Sequence, residues 1–204
     1  MGRLSRLTLS FIAVLGIGLA GCHKNLGAGA TADEMGMGDP SAKVTVIEYA
    51  SASCPHCARF NNEVFPAFKA KYIDTGKVHY VFREFLTQPV QFAAAGFLTA
   101  RCAGKDKYFS VLDAIYHGQA AIYQSGDLRG GLLRIAQSAG MTEQQFNDCI
   151  NNTDALNALN ARVQKAQDQD HIDGTPTFVI NGKQMQSGEV TLPQLDAAIK
   201  AAGG

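Results

Sequence analysis

Apolar and polar positions change period along the chain, and each change predicts an element. Val44, Val46, Ile47, Tyr49 and Ala50 form a short, nearly continuous apolar run, the pattern of a strand buried on both faces. Phe60, Val64, Phe65, Phe68 and Tyr72 then recur at helical spacing, with Pro66 predicting a kink. Gly76 marks a turn and residues 78–85 read as a second strand, so strand, helix and strand make a parallel unit. From 88 to 170 the pattern is helical: Pro89 can open one helix, and Leu128, Leu132, Ile135 and Ala139, then Leu156, Leu159 and Val163, fall three and four apart. Thr142 and Gln145 fit a capping box, with Met141 and Phe146 as its hydrophobic staple. The strand pattern returns from Gly174 to Ile180, and Asn181-Gly182 predicts a hairpin whose partner strand is 183–186. Thr191-Leu192-Pro193-Gln194 opens a closing helix with Leu192, Leu195 and Ile199 on one face.

This order of elements is that of an α/β domain carrying a helical insertion at about 88–170. With 204 residues, 46% apolar content and zero formal net charge, the chain suits one domain plus an N-terminal extension. Its Lys and Arg residues form no stripe for a phosphate backbone, which argues against nucleic-acid binding. Arg3 and Arg6 precede an apolar stretch from Leu7 to Leu19 that is too short to span a bilayer, so residues 1–21 read as an export signal. It ends in Leu19-Ala20-Gly21-Cys22, which resembles a bacterial lipobox, making Cys22 the expected lipidated first residue of the mature chain. The competing reading is ordinary cleavage at Ala28-Gly29-Ala30, which discards Cys22 and leaves a soluble protein. Residues 22–40, rich in Gly and Ala, read as a flexible tether; Met35 and Met37 within it are discounted as copper ligands.

The chemistry concentrates at Cys54-Pro55-His56-Cys57, where the first strand gives way to the first helix. Unpaired N–H groups and the helix dipole stabilise a thiolate at such a junction. Pro55 suits the first helical turn and His56 can add a positive charge, so the pair points to thiol-disulfide exchange. The alternative is half a zinc site, but the sequence holds no second Cys-x-x-Cys or His-x-His pair. Neither His79, His117 nor His171 falls in metal-ligand spacing; they read as surface or satisfied core residues, and no metal site is expected. Cys102, near the end of one helix, and Cys149, about two turns into another, could be bridged and so pin the insertion, for about 4 kcal/mol by loop entropy. Two free buried thiols are the other reading.

Taken together, Glu48 six residues before the first cysteine, Cys54-Pro55-His56-Cys57, the helical insertion, and Thr175-Pro176 followed by Asn181-Gly182 resemble the DsbA-like branch of the thioredoxin superfamily, the periplasmic thiol:disulfide oxidoreductases. The resemblance covers about 42–202 and implies a thioredoxin-like fold over 41–204. It implies Cys54 as the nucleophile that shares a mixed disulfide with substrate, Cys57 as the buried resolving partner, and Pro176, after Thr175, as a cis-proline facing them. Glu48 could relay a proton to Cys57 if burial raises its pKa; a salt bridge to a residue such as Arg83 is the alternative.

The expected activity is therefore a dithiol oxidase that donates its Cys54–Cys57 disulfide to reduced exported proteins and is reoxidised by a quinone-linked membrane partner. No cofactor is expected, and the location is periplasmic, held to a membrane by the lipid on Cys22 or else soluble. The runner-up is an isomerase or reductase kept reduced by a membrane partner. Such relatives oligomerise through a stalk, and the tether lacks apolar heptads, so a monomer is expected. A third reading, from a different class, is a copper metallochaperone using the two thiolates.

Overall fold

The computed structural model describes Met1 and residues 33–204; the signal segment, Cys22, the 28–30 cleavage site and most of the tether lie outside the described residues. A five-stranded sheet runs β1-β3-β2-β4-β5. Strand β2 (Val44–Ala50) sits at its centre, parallel to β3 (Val78–Glu84) and antiparallel to β4 (Thr177–Ile180). Val44, Val46, Ile47, Tyr49 and Ala50 are all buried, which is why β2 reads as an apolar run without alternation.

The tether reading needs correction at its end. Residues Met35–Met37 form β1, antiparallel to the outer edge of β3. Met35 is buried in the core, Arg83 binds the Glu34 carboxylate, and the Arg101 guanidinium donates two 3.2 Å bonds to the Asp33 carbonyl. A Gly/Ala-rich average hides a strand this short, because its stability comes from partners on β3 and α3 rather than from its own composition.

The first helix starts at Pro55 and alternates α1 (Pro55–Arg59), a π turn (Phe60–Val64), α2 (Phe65–Phe68) and a second π turn (Lys69–Ile73). Pro66 has no N–H for the carbonyl four residues back, and just before it the ladder slips so that Phe65 N–H reaches the Phe60 carbonyl. The predicted kink is thus a widened turn.

Between β3 and β4 lies the helical insertion: α3 (Val90–Cys102), α4 (Lys105–Ser125), α5 (Leu128–Ser138), α6 (Glu143–Ile150) and α7 (Thr153–Asp168). Pro89 caps α3 after a cis peptide bond. The Thr142 box opens α6 through Gln145 N–H to Thr142 Oγ1 at 3.2 Å and Thr142 N–H to Gln145 Oε1 at 2.8 Å. A Cβ at Gly131 would come within 2.6 Å of the Ile122 side chain, so glycine lets α5 approach α4. A disulfide joins Cys102, the last residue of α3, to Cys149 in α6, with the Cα atoms 6.2 Å apart.

Asn181 and Gly182 adopt φ of 45° and 81°, the left-handed pair that a two-residue hairpin turn needs. Strand β5 is only Lys183–Gln184, shorter than the pattern predicts, because the chain then turns back and Gly188 N–H donates to the Pro176 carbonyl at 2.9 Å. Helix α8 (Leu192–Ala201) packs Leu195 and Ile199 into the core and is tied to the first helix by Lys71 and Tyr72, each 2.7 Å from Asp196.

At the end of β3 the buried carboxylate of Glu84 accepts from Arg101 Nε at 2.6 Å, Arg162 Nε at 2.9 Å and Nη2 at 2.6 Å, and Tyr108 Oη at 3.1 Å. It joins the sheet to α3, α4 and α7. Removing one member of such a cluster strands the rest, so Glu84→Ala is expected to lower the unfolding free energy by about 3–5 kcal/mol. Urea denaturation reads this directly; a loss below about 1 kcal/mol would mean that the guanidiniums find water instead.

Candidate active site

Two ends of the sheet's central strands build the site. Beyond Ala50, residues 51–54 lead into α1; before Thr177, Thr175 and Pro176 lead into β4 through a cis peptide bond. Because Tyr49 pairs with Thr177 in register, the two segments meet at one edge, and Cys54 Sγ lies 3.4 Å from the Thr175 carbonyl although 121 residues separate them.

Cys54 is the N-cap of α1, with Pro55 in the first turn, and its sulfur accepts the Cys57 N–H at 3.4 Å. This bond favours the thiolate; the contact to the Thr175 carbonyl can be made only by the neutral thiol. The thiolate wins. Interaction with Cys57 is the largest cause, partly opposed by burial and helped by Thr175 and the N–H groups of Cys57 and His56, and it lowers the Cys54 pKa to about 5. The Thr175 hydroxyl is buried with no partner among the described residues and so is available to the sulfur. For Cys57, burial first and the neighbouring Cys54 second push the thiol well above its ordinary value. Cys54 is 6% exposed and Cys57 0%, so only the acidic thiol can be reached from outside. Both are free thiols, the reduced pair.

Glu48 lies under this pair on β2. It makes no bridge to Arg83, which instead binds Glu34, Asp170 and the Tyr49 hydroxyl. Side chains alternate along a strand, so with Tyr49 facing the Arg83 side Glu48 faces the other. There it accepts from Tyr80 Oη at 2.5 Å. Burial, against that hydrogen bond and with the Cys54 charge, raises its pKa to about 8. A cavity of about 280 Å³ opens beside it, lined by Phe65, Tyr80, Phe109 and Tyr116, with Asp113 and Lys69 at its polar side. The Tyr116 hydroxyl is buried there with no hydrogen-bond partner among the described residues.

Several supporting residues escaped the sequence reading. Gln119 Nε2 donates to the Ala52 carbonyl at 2.9 Å and Tyr123 Oη to the Ser53 carbonyl at 2.9 Å, so α4 holds the loop that leads to Cys54. Ser53 Oγ donates to the Thr87 carbonyl at 2.8 Å and Thr87 N–H to Ser51 Oγ at 3.1 Å. The available signal was Tyr116, Gln119 and Tyr123 at spacings of three and four on an otherwise apolar face. His56, read as able to add a positive charge near Cys54, has Nδ1 2.8 Å from Glu189 Oε1. Of the other histidines, His79 is buried on β3, His117 is exposed beside Asp113 at 3.4 Å, and His171 is exposed at φ 55°. Among the described residues no group of three or more His, Cys, Asp or Glu is placed to hold a metal ion.

A family model described as thioredoxin matches residues 30–201. A Rickettsia conorii protein provisionally named a protein-disulfide oxidoreductase is 33% identical over 171 residues, which are 83% of this chain and 60% of that protein; this chain thus spans less than two thirds of that relative. A Bacillus cereus protein named disulfide bond formation protein D is 26% identical over 73% of this chain and 70% of its own. The crystal structure of Wolbachia pipientis alpha-DsbA1 superposes with a TM-score of 0.78 at 29% identity, covering 86% of this chain and 94% of that one.

Two titrations test these environments. In reduced protein the ultraviolet absorbance of the Cys54 thiolate is expected to disappear as pH falls through about 5. The stability that the depressed thiol contributes is fully present above the ordinary thiol pKa of 9.0, is lost progressively as pH falls from there, and is gone below about 5. Glu48 has the opposite sign: with a folded pKa near 8 against 4.5 unfolded, its contribution is present below 4.5 and lost as pH rises toward 8. Glu48→Gln cannot ionise, so its stability relative to the parent should rise by roughly 2–5 kcal/mol across that window. Parallel stability curves for the two proteins would show that Glu48 is already charged.

Proposed function

This chain belongs to the thioredoxin superfamily, in its DsbA-like branch, and from that premise we propose that it is a protein-disulfide oxidoreductase that oxidises exported proteins through Cys54 and Cys57. The observation that carries the reading is the asymmetry of the pair: a reachable thiol with a pKa of about 5 at a helix start, beside a fully buried thiol pushed the other way. Holding Cys54 as a thiolate stabilises the reduced pair and makes the disulfide a strong oxidant.

In the oxidised protein a client thiolate attacks Cys54 Sγ. A client–Cys54 disulfide forms, the Cys54–Cys57 bond breaks, and its electron pair leaves on Cys57. Cys57, buried and a poor thiolate, takes a proton; Glu48, beneath the pair and protonated at neutral pH, is the donor and is left as a carboxylate that regains a proton from solvent. The second client thiolate attacks its own sulfur in the mixed disulfide and expels Cys54, the better leaving group. The client gains one disulfide and loses two electrons, and the protein is left with a Cys54 thiolate and a Cys57 thiol. The segment before cis-Pro176 offers backbone groups for an extended client strand, and proline has no N–H to compete.

Return to the disulfide needs an electron acceptor, for which a quinone-linked membrane thiol oxidase is the fitting class. The export signal and the Cys22 lipobox support a periplasmic, lipid-anchored location.

Equilibration with glutathione tests the reading. A Cys54–Cys57 potential near −120 mV, about that of the strongest oxidants of this type, is expected; a value below about −200 mV would turn the assignment to an isomerase or reductase. Cys57→Ala should accumulate a client–Cys54 mixed disulfide on non-reducing gels, and Cys54→Ser should accumulate none.

A further inference from the structure

The loop of residues 185–191, between β5 and α8, touches both halves of the site. On the proline side Gly188 N–H donates to the Pro176 carbonyl at 2.9 Å and Ser187 Oγ lies 2.6 Å from Thr177 Oγ1. Gly188 itself has φ of 115°, a conformation that side chains disfavour, and it turns the chain so that the next residue crosses to the cysteine side. There Glu189 Oε1 lies 2.8 Å from His56 Nδ1 and pairs with Arg59 Nη1.

Both basic partners sit on the first turns of α1, His56 between the two cysteines. Left unpaired, the Arg59 guanidinium would add positive charge beside Cys54 and favour its thiolate. A carboxylate shared between them takes part of that charge away and holds the imidazole ring at one nitrogen. We propose that Glu189 is a positioning residue that fixes His56 over the start of α1 and moderates the oxidising strength of the Cys54–Cys57 pair. The inference rests on the reading of that pair as redox-active. The interactions with His56 and Arg59 keep the Glu189 pKa below its ordinary value, so this carboxylate is charged wherever the Cys54 thiolate exists. All three side chains are about half exposed, which makes the effect modest and sensitive to salt.

The test is the equilibrium of the disulfide with glutathione, two glutathione thiols giving the protein dithiol and one glutathione disulfide. Glu189→Gln keeps the size and an acceptor for both partners but removes the charge. It is expected to shift the equilibrium toward the reduced protein by about three- to tenfold at low salt, which is about 14–30 mV more oxidising. The Cys54 pKa should fall in parallel. Arg59→Gln should move both readouts the other way, and Glu189→Gln made in that background should shift the equilibrium less than it does alone. In 1 M salt the Glu189→Gln shift should shrink, since the screening length there is about 3 Å. An equilibrium unchanged within about twofold at low salt, or displaced toward the disulfide, overturns the assignment. If the parent protein itself fails to equilibrate with glutathione, the redox reading falls; if it equilibrates and the variant matches it, only the role of Glu189 falls.

Discussion

The register of β2 with β4 is the constraint on which the rest depends. Tyr49 opposite Thr177 sets how far each strand runs before it leaves the sheet, and therefore where Cys54 and Thr175 emerge. A slip of one residue would exchange the two faces of β4 against β2 and carry Thr175 and Pro176 out of register with Cys54. That slip is resisted by the apolar residues on both faces of β2 and by Asn181, which accepts the Thr45 N–H at 2.8 Å through its side chain and donates its own backbone N–H to the Thr45 carbonyl at 3.0 Å. The hairpin turn thus also works as the clamp that fixes the pairing.

The paired cysteines at a helix start, the cis-proline and the overall order of elements were legible because each rests on local rules: two cysteines opening a helix, an apolar run without alternation, Asn-Gly between two strand patterns. Glu48 was legible as a carboxylate out of place in that run. What it binds was not, since Tyr80 and Arg83 both lie on β3 and only the side-chain alternation of β2 decides between them. Strand β1 was missed because its stability is lent by Arg83 and Arg101. Gln119 and Tyr123 were missed because they recognise backbone carbonyls, which carry no residue identity. Glu189 stands 133 positions from His56, in a loop whose course no periodicity describes.

The site keeps two carboxylates apart by environment alone. Glu48, buried under the pair beside the Tyr80 hydroxyl, holds its proton at neutral pH; Glu189, in water between an imidazole and a guanidinium, gives its proton up. Exchanging their surroundings would exchange their charges. The same division separates the two cysteines, so one short segment carries an ionised sulfur facing outward and a neutral one facing in.

Helix α4 begins at Lys105, three residues after the bridged Cys102, and near its far end Tyr123 grips the Ser53 carbonyl. Twenty-one residues make it a rod roughly 31 Å long, so a tilt of one degree at the bridged end would displace the other by about half an ångström. A few degrees of play would part a hydrogen bond of 2.9 Å. The insertion is therefore a lever as well as a cover, and a covalent lock set at its pivot does more for the placement of a distant sulfur than the same lock set beside it.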